Sequence, residues 1–386
     1  MDIAKKLKSI KNWQDKALVF LFLVLFPFGQ LLKINLYGLK ILLVDVVAIS
    51  CLVRVFCGQY KKTKIHSSFG GFLILSIFSL FVSTQFLSFG TILRGSFYLV
   101  RLVSYFALYL VSKKAVSEKS YKKNQLNSLL AVLAYVALFG WVQYLVIPDL
   151  TFLKHFGWDD HLFRLTSTFL DPGFTSIFLV FGFFISFLNK SKNYLWISIF
   201  FLATLALTFS RAGYLALLAG LVTFGFLQKN IKTPFLFGLL FTIMVLLLPR
   251  PAGEGVNLAR TYSISARTTN YRETLQIFKK FPVFGVGFNN ICEYKQKMFG
   301  VSKFSNSCSG ADSSLLLVLS TTGALGLISF LDLAKNTWNT LEEGVYADIF
   351  RVCFVALFAH SFFVNSIFYP FVLGFMAILL SLAVRE

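Results

Sequence analysis

Charge is what this chain has least of. Of its 386 residues 14% are charged and 56% hydrophobic, where a soluble domain carries about 25% charged residues. That shortage excludes a water-soluble fold, and apolar runs of about 20 residues recur instead, each long enough to cross a bilayer as a helix. The runs do not alternate apolar with polar residues, which excludes a transmembrane barrel. No small-x-small cleavage site follows the first run, which ends in Phe28-Gly29-Gln30, so it reads as the first transmembrane helix and not as a signal peptide. The 4 histidines and 5 cysteines show no zinc spacing. No acidic cluster is placed to hold a metal, and no cofactor is expected.

What is abundant is positive charge, with 37 Lys and Arg against 17 Asp and Glu. In a soluble protein that balance would suggest nucleic acid. Here no basic patch is interleaved with aromatics on a soluble face, and nucleic acid is not an expected partner. The surplus is topological, because Lys and Arg concentrate in cytoplasmic loops. The 47 Phe and 15 Tyr suit lipid-facing helices and interfacial belts.

The expected fold is all-α: a polytopic membrane protein with about twelve transmembrane helices. The runs are 17–32, 39–57, 69–89, 95–111, 126–147, 173–188, 194–209, 212–228, 234–249, 312–332, 349–366 and 368–384. One integral membrane domain spans 1–386, with a large extracytoplasmic loop at 250–311. Lys5, Lys6, Lys8, Lys11, Lys61, Lys62, Lys113, Lys114, Lys190 and Lys229 fall on one side, which places both termini in the cytoplasm. Residues 148–171 and 250–311 then face out. In the larger loop, Ser263 or Ser265 can cap a helix from Arg267 to Lys280, with Tyr271, Leu275 and Phe278 on one face. Cys292 and Cys308 share that loop, either as a disulfide, if it faces an oxidising compartment, or as two free thiols.

Charged residues inside apolar runs need a reason. Asp45 and Arg101 lie in the second and fourth runs and can form a structural pair. Arg94 lies one heptad before Arg101, so the two can also form a cationic wall. Ser210-Arg211 breaks a stretch that otherwise runs from Tyr194 to Leu227; the arginine either snorkels or points into a cavity with Arg267 and Arg272. Arg164 approaches from another loop, followed by Asp171-Pro172-Gly173. Guanidinium groups from separate elements suit a diphosphate, since they bind phosphate oxygens bidentately and stay charged. Residues His155, Trp158, Asp159, Asp160 and His161 suit either sugar contact or an interfacial belt, and His360 reads as a hydrogen-bonded packing residue.

Three segments carry a resemblance: the Ser210-Arg211 turn; Ser265-Ala-Arg267 leading to Phe281-Pro282-Val-Phe-Gly285-Val-Gly287; and Asp312-Ser-Ser-Leu-Leu leading to Thr322-Gly323-Ala-Leu-Gly326. In that order the chain resembles the O-antigen ligase/polymerase family of bacterial membrane glycosyltransferases. The resemblance implies a glycan donor on a polyprenyl diphosphate at the outer face of the plasma membrane, and a glycan acceptor. It implies inverting transfer without a metal, with Arg211 and Arg267 on the diphosphate and Arg164 and Arg272 beside them. A chain-length regulator is a further partner it leaves open. Ligases of this family open the span after the large loop with His-Asn, whereas this chain has Ala311-Asp312-Ser313-Ser314. Asp312 can serve as general base or cap the helix that follows. The missing histidine favours polymerisation of repeat units over transfer of a finished glycan. A transporter would place ionisable groups at the midplane and show inverted repeats, and neither is visible here.

Overall fold

Backbone groups in lipid find no water, so each apolar run must bond to itself as a helix. In a computed structural model the described residues are 2–36, 39–58, 60, 63–116, 119–156, 158–190, 192–251, 253–302 and 305–384. Lys61 and Lys62 lie outside them. The elements are α1 (Asp2–Leu25), β1 (Lys33–Leu36), β2 (Leu39–Leu42), α2 (Leu43–Phe56), α3 (Lys64–Ser83), α4 (Phe89–Ala115) and α5 (Lys119–Val146). There follow α6 (Pro172–Asn189), α7 (Tyr194–Ala206), α8 (Arg211–Gln228), α9 (Lys232–Leu247) and α10 (Tyr262–Lys280). The chain ends with α11 (Ile291–Phe299), α12 (Ser314–Asn339), α13 (Val345–Ser361) and α14 (Pro370–Ala383).

All of these helices except α10 and α11 fall on the twelve apolar runs. Among the described residues seven stretches are long and apolar enough to cross a membrane, and α7, α9 and α14 are apolar but shorter. The second run does not begin as a helix. Its first residues pair with Lys33–Leu36 as an antiparallel hairpin, Lys33 opposite Leu42. The Asp45 carboxylate accepts the Leu42 N–H at 2.9 Å, and α2 starts there.

The centre of the molecule is α6, buried on nearly every side. Phe26 packs edge-on against Phe169, Phe178 and Phe371, with ring centroids 5.8, 5.1 and 5.5 Å apart. Around this core α8 packs on α13, α12 on α3, and α14 on α4.

The second and third segments of the resemblance meet in space. Gly323 breaks α12, with φ 70° and ψ −172°, a conformation essentially confined to glycine. The segment after α10 docks into the break. Ala324 N–H donates to Pro282 O at 2.8 Å, Val286 N–H to Ser320 O at 3.1 Å and Gly287 N–H to Thr321 O at 3.0 Å. From α3, Ser79 Oγ donates to Thr321 O at 2.6 Å and accepts the Gly287 N–H at 3.1 Å. Non-helical backbone at membrane depth is tolerated when protein satisfies it in this way. The junction fixes where the first turns of α12, and so Asp312, are held.

Candidate active site

Three helices begin at one end of the bundle, each with its own cap. Asp171 accepts from Phe174 N–H at 2.9 Å to start α6, Ser210 from Gly213 N–H at 3.2 Å to start α8, and Ser313 from Leu316 N–H at 3.4 Å to start α12. Ser176 Oγ donates to Ser210 Oγ at 3.1 Å, joining the starts of α6 and α8. Gly213 permits this approach, because a Cβ there would sit 2.4 Å from Ser176 Oγ.

Four guanidinium groups gather at this end. Arg164 donates to Thr208 O at 3.0 Å and Phe209 O at 3.3 Å. Arg260 reaches the same Phe209 O at 3.3 Å and Gly255 O at 2.8 Å. Arg211 donates to Leu258 O at 3.3 Å, Arg260 O at 3.2 Å and Ser263 Oγ at 2.6 Å. Arg267, half-buried on α10, acts electrostatically on all three. Burial pushes Arg164 down to about 9, with Arg260 and Arg267 adding to the shift. Burial also lowers Arg260, and Arg211 and Arg267 lower it further.

Among the described residues none of the four pairs with a carboxylate at ion-pair distance. Arg164, Arg211 and Arg260 donate instead to neutral oxygens. Arg211 also occupies the first position of α8, the end where a helix dipole repels a cation and attracts an anion. Clustered charge without counter-ions is costly alone and favourable around an anion.

Asp312 stands beside this cluster. Ser313, not Asp312, caps α12, so the Asp312 carboxylate is not spent on that role. Burial raises its pKa above the usual carboxylate value, while Arg267 and Lys295 pull against the rise. The backbone before it is held firmly. Asn270 accepts Asp312 N–H at 3.1 Å and donates to Gly310 O at 3.3 Å. The buried Lys295 ammonium donates to Ser307 O at 3.0 Å and Gly310 O at 3.3 Å, and pairs with Glu273 at 3.5 Å. Cys292 and Cys308 are bonded, which closes the same segment covalently.

The α10 helix differs from its expected form. It starts at Tyr262, earlier than Arg267, and Thr261 is its cap residue without a side-chain cap bond. Ser263 is free of capping because its hydroxyl accepts from Arg211. The buried face is Asn270, Thr274 and Ile277, whereas Leu275 is 39% exposed. Polar side chains turn inward because the backbone at 310–312 needs partners.

The structure thus brings together Arg164, Arg211 and Arg267, with Asp312 next to them. Arg272 is exposed and enters none of these contacts among the described residues. Arg94 is also exposed and stays apart. Arg101 pairs with Asp45 at 2.8 Å, and Tyr105 OH donates to the other Asp45 oxygen at 3.0 Å. That is the structural pair, and no cationic wall forms with Arg94. Sequence reasoning missed Arg260, Lys295 and Asn270. An arginine one heptad before Arg267, on the same polar insert, was the available signal for the first; nothing in the pattern marked the other two.

His360 is buried between Ser176 Oγ, 3.5 Å away, and Ser366 Oγ, 3.1 Å away. His161 is also buried, and among the described residues neither ring nitrogen has a hydrogen-bond partner. Burial, with Arg164 and Arg260 adding to it, lowers His161 to about 4 while Asp159 and Asp160 oppose. Trp158 lies under two lysines, Lys33 Nζ 4.3 Å and Lys40 Nζ 5.8 Å from its ring centre. Among the described residues no group of three His, Cys, Asp or Glu side chains is placed to hold a metal.

Residues 196–331 match the model of a protein family described as O-antigen ligase. That stretch includes Arg211, Arg260, Arg267 and Asp312, and both halves of the α12 junction. No curated protein matches the chain.

Proposed function

We propose that this chain, whose residues 196–331 are of the O-antigen ligase family, polymerises polyprenyl-diphosphate-linked oligosaccharide repeat units at the outer face of the bacterial plasma membrane. The product class is O-antigen, capsular or exopolysaccharide. The observation that carries the reading is the cluster of Arg164, Arg211, Arg260 and Arg267, the first three held by neutral oxygens and none of them paired with a carboxylate among the described residues.

In the proposed reaction an acceptor hydroxyl oxygen attacks the anomeric carbon of the donor sugar. The bond from that carbon to the diphosphate oxygen breaks, and the configuration inverts. The Asp312 carboxylate takes the hydroxyl proton, a role its raised pKa suits. Negative charge grows on the departing diphosphate, and Arg211 and Arg267 stabilise it without reorganising. Arg164 and Arg260 hold the turn at Thr208 and Phe209 and add to the positive potential. Arg272 lies on the exposed side of α10, where it can meet only the outer part of a glycan.

The absence of histidine at the start of α12 favours repeat-unit polymerisation over transfer to a lipid or protein. The test is purified protein with a labelled polyprenyl-diphosphate-linked repeat unit. A product ladder at repeat spacing is expected. Single-step transfer to an added lipid or protein acceptor, with no ladder, would make the enzyme a ligase.

A further inference from the structure

Trp158 and the β1–β2 hairpin meet at the end of the bundle where α6, α8 and α12 begin. Two contacts place the hairpin there. Gly29, four residues before it, lies so close to Thr168 that a Cβ would sit 2.5 Å from Thr168 O, and Gln30 donates to Tyr369 OH at 2.9 Å. The second strand is held from α4, where Arg101 donates to Lys40 O at 2.6 Å while it pairs with Asp45. Arg101 in turn lines a small cleft with Leu317 and Thr321 of α12.

Register decides what the hairpin presents. Lys33 pairs with Leu42 and Asn35 with Lys40, so Lys33 and Lys40 are diagonal neighbours on one face, and Ile34 and Ile41 share the other. Ile34 is 54% exposed, which suits lipid. The lysine face turns instead to the loop that follows α5. Both ammonium groups lie over the Trp158 ring, at 4.3 and 5.8 Å from its centre. Burial lowers the Lys33 pKa, and Lys40 lowers it further. Among the described residues neither lysine pairs with a carboxylate. Two like charges drawn over one ring are unfavourable alone and favourable around an anion.

The loop that carries Trp158 leads into the arginine cluster. Leu150 N–H donates to His161 O at 2.9 Å and Phe163 N–H to Pro148 O at 2.9 Å, which closes the loop one residue before Arg164. Asp159 acts electrostatically on Asp312. Lys154 and Asp160, both exposed, offset each other at 3.8 Å, which leaves two ammonium groups against the Asp159 carboxylate. Resting on the glycan substrate proposed above, we infer that Lys33, Lys40 and Trp158 form a subsite for a carboxylate-bearing sugar, so that the repeat unit handled here is an acidic one. An ammonium group is a point charge without a fork, so each lysine takes one carboxylate oxygen. The indole holds the two ammonium groups together by cation–π attraction.

The experiment reads binding and not turnover, so it stands apart from the polymerase test. Oligosaccharide is collected from the carrier lipid of cells lacking this chain, released and divided. One half keeps its carboxylates; in the other they are reduced to primary alcohols. Each is titrated into the full chain in nanodiscs of neutral phosphatidylcholine. The acidic form should bind about three- to tenfold more tightly, the scale of one or two partly exposed ion pairs, and high salt should shrink the difference. Lys33→Gln combined with Lys40→Gln should abolish the difference and leave affinity for the reduced form unchanged, which shows that the variant is folded. Lys154→Gln, outside the pair, should keep the difference. A neutral oligosaccharide from the carrier, equal affinity for the two forms in the parent, or a difference that survives in the double variant would overturn the subsite. Loss of phosphatidylglycerol retention by the double variant, with its glycan preference intact, would assign the patch to the membrane surface instead. An acidic glycan bound through these lysines without a product ladder would retain the subsite and reject the polymerase.

Discussion

Replacing Gly323 with alanine should unseat the segment that docks into α12. A Cβ at Gly323 would lie 2.1 Å from Val283 O and 2.3 Å from Val283 C, both backbone atoms. Neither can swing aside as a flexible side chain would. The backbone there is at φ 70° and ψ −172°, a region that costs an L-residue about 1–3 kcal/mol. Overpacking adds about 1–3 kcal/mol, for a total of roughly 2–6 kcal/mol. Gly285 faces the junction from the other side, with φ +68° and a Cβ position 2.4 Å from Thr321 C, and should respond similarly. Gly300 is the control: its φ is +64° but nothing lies within 4 Å, so Gly300→Ala should cost only about 1–2 kcal/mol of backbone strain. Thermal unfolding of the detergent-solubilised proteins, followed by tryptophan fluorescence and by size-exclusion recovery, ranks the three. If Gly323→Ala is as stable as Gly300→Ala, the close approach does not hold α12, and the reasoning fails.

Four further outcomes are expected. Arg211→Ala and Arg267→Ala should each lower kcat by about 10² or more, while Arg272→Ala stays within a few-fold; single-turnover assays on protein at normal expression decide this. Asp312→Asn should lower turnover about 10²–10⁴-fold with little change in donor affinity. Because burial raises this carboxyl, parent activity should fall as pH drops through a value above the ordinary aspartate range, and a parent profile flat to pH 4 would remove Asp312 as base. Reduction of Cys292–Cys308, which closes 16 residues, or its replacement by serines, should cost about 3 kcal/mol, seen as matching losses of thermal stability. His161 titrates near 4 when folded and near 6.5 when unfolded, so its contribution is present above about 6.5 and lost as pH falls toward 4; His161→Asn should flatten that part of the stability–pH curve.

The helices were legible because lipid forces one answer on an apolar run. The hairpin at Lys33–Leu42 was not, since its second strand is as apolar as the helix it precedes; Asp45, capping at Leu42, decides the boundary. On α10 the apolar residues Tyr271, Leu275 and Phe278 share one face by their spacing. The inward face is set instead by Asn270, whose amide serves Gly310 and Asp312, a demand made by backbone far away in sequence. Arg211 and Arg267 were visible as polar interruptions and as parts of a motif. Arg260 and Lys295 act through carbonyls that only the folded loop brings to them.

The bond between Cys292 and Cys308 puts a clock on this molecule. A thiol pair stays reduced where protein is made and oxidises only in a compartment that permits it. If residues 250–311 face outward as proposed, the stretch that carries Asp312 to its place is fastened after the helices on either side of it are in the bilayer. Until then the chain can be fully inserted and still lack a rigid path from Lys295 to Asp312. Insertion and competence are separate events in such a design. On the proposed function, a cell that slows thiol oxidation would accumulate inserted, correctly threaded protein whose segment leading to Asp312 is not yet fastened.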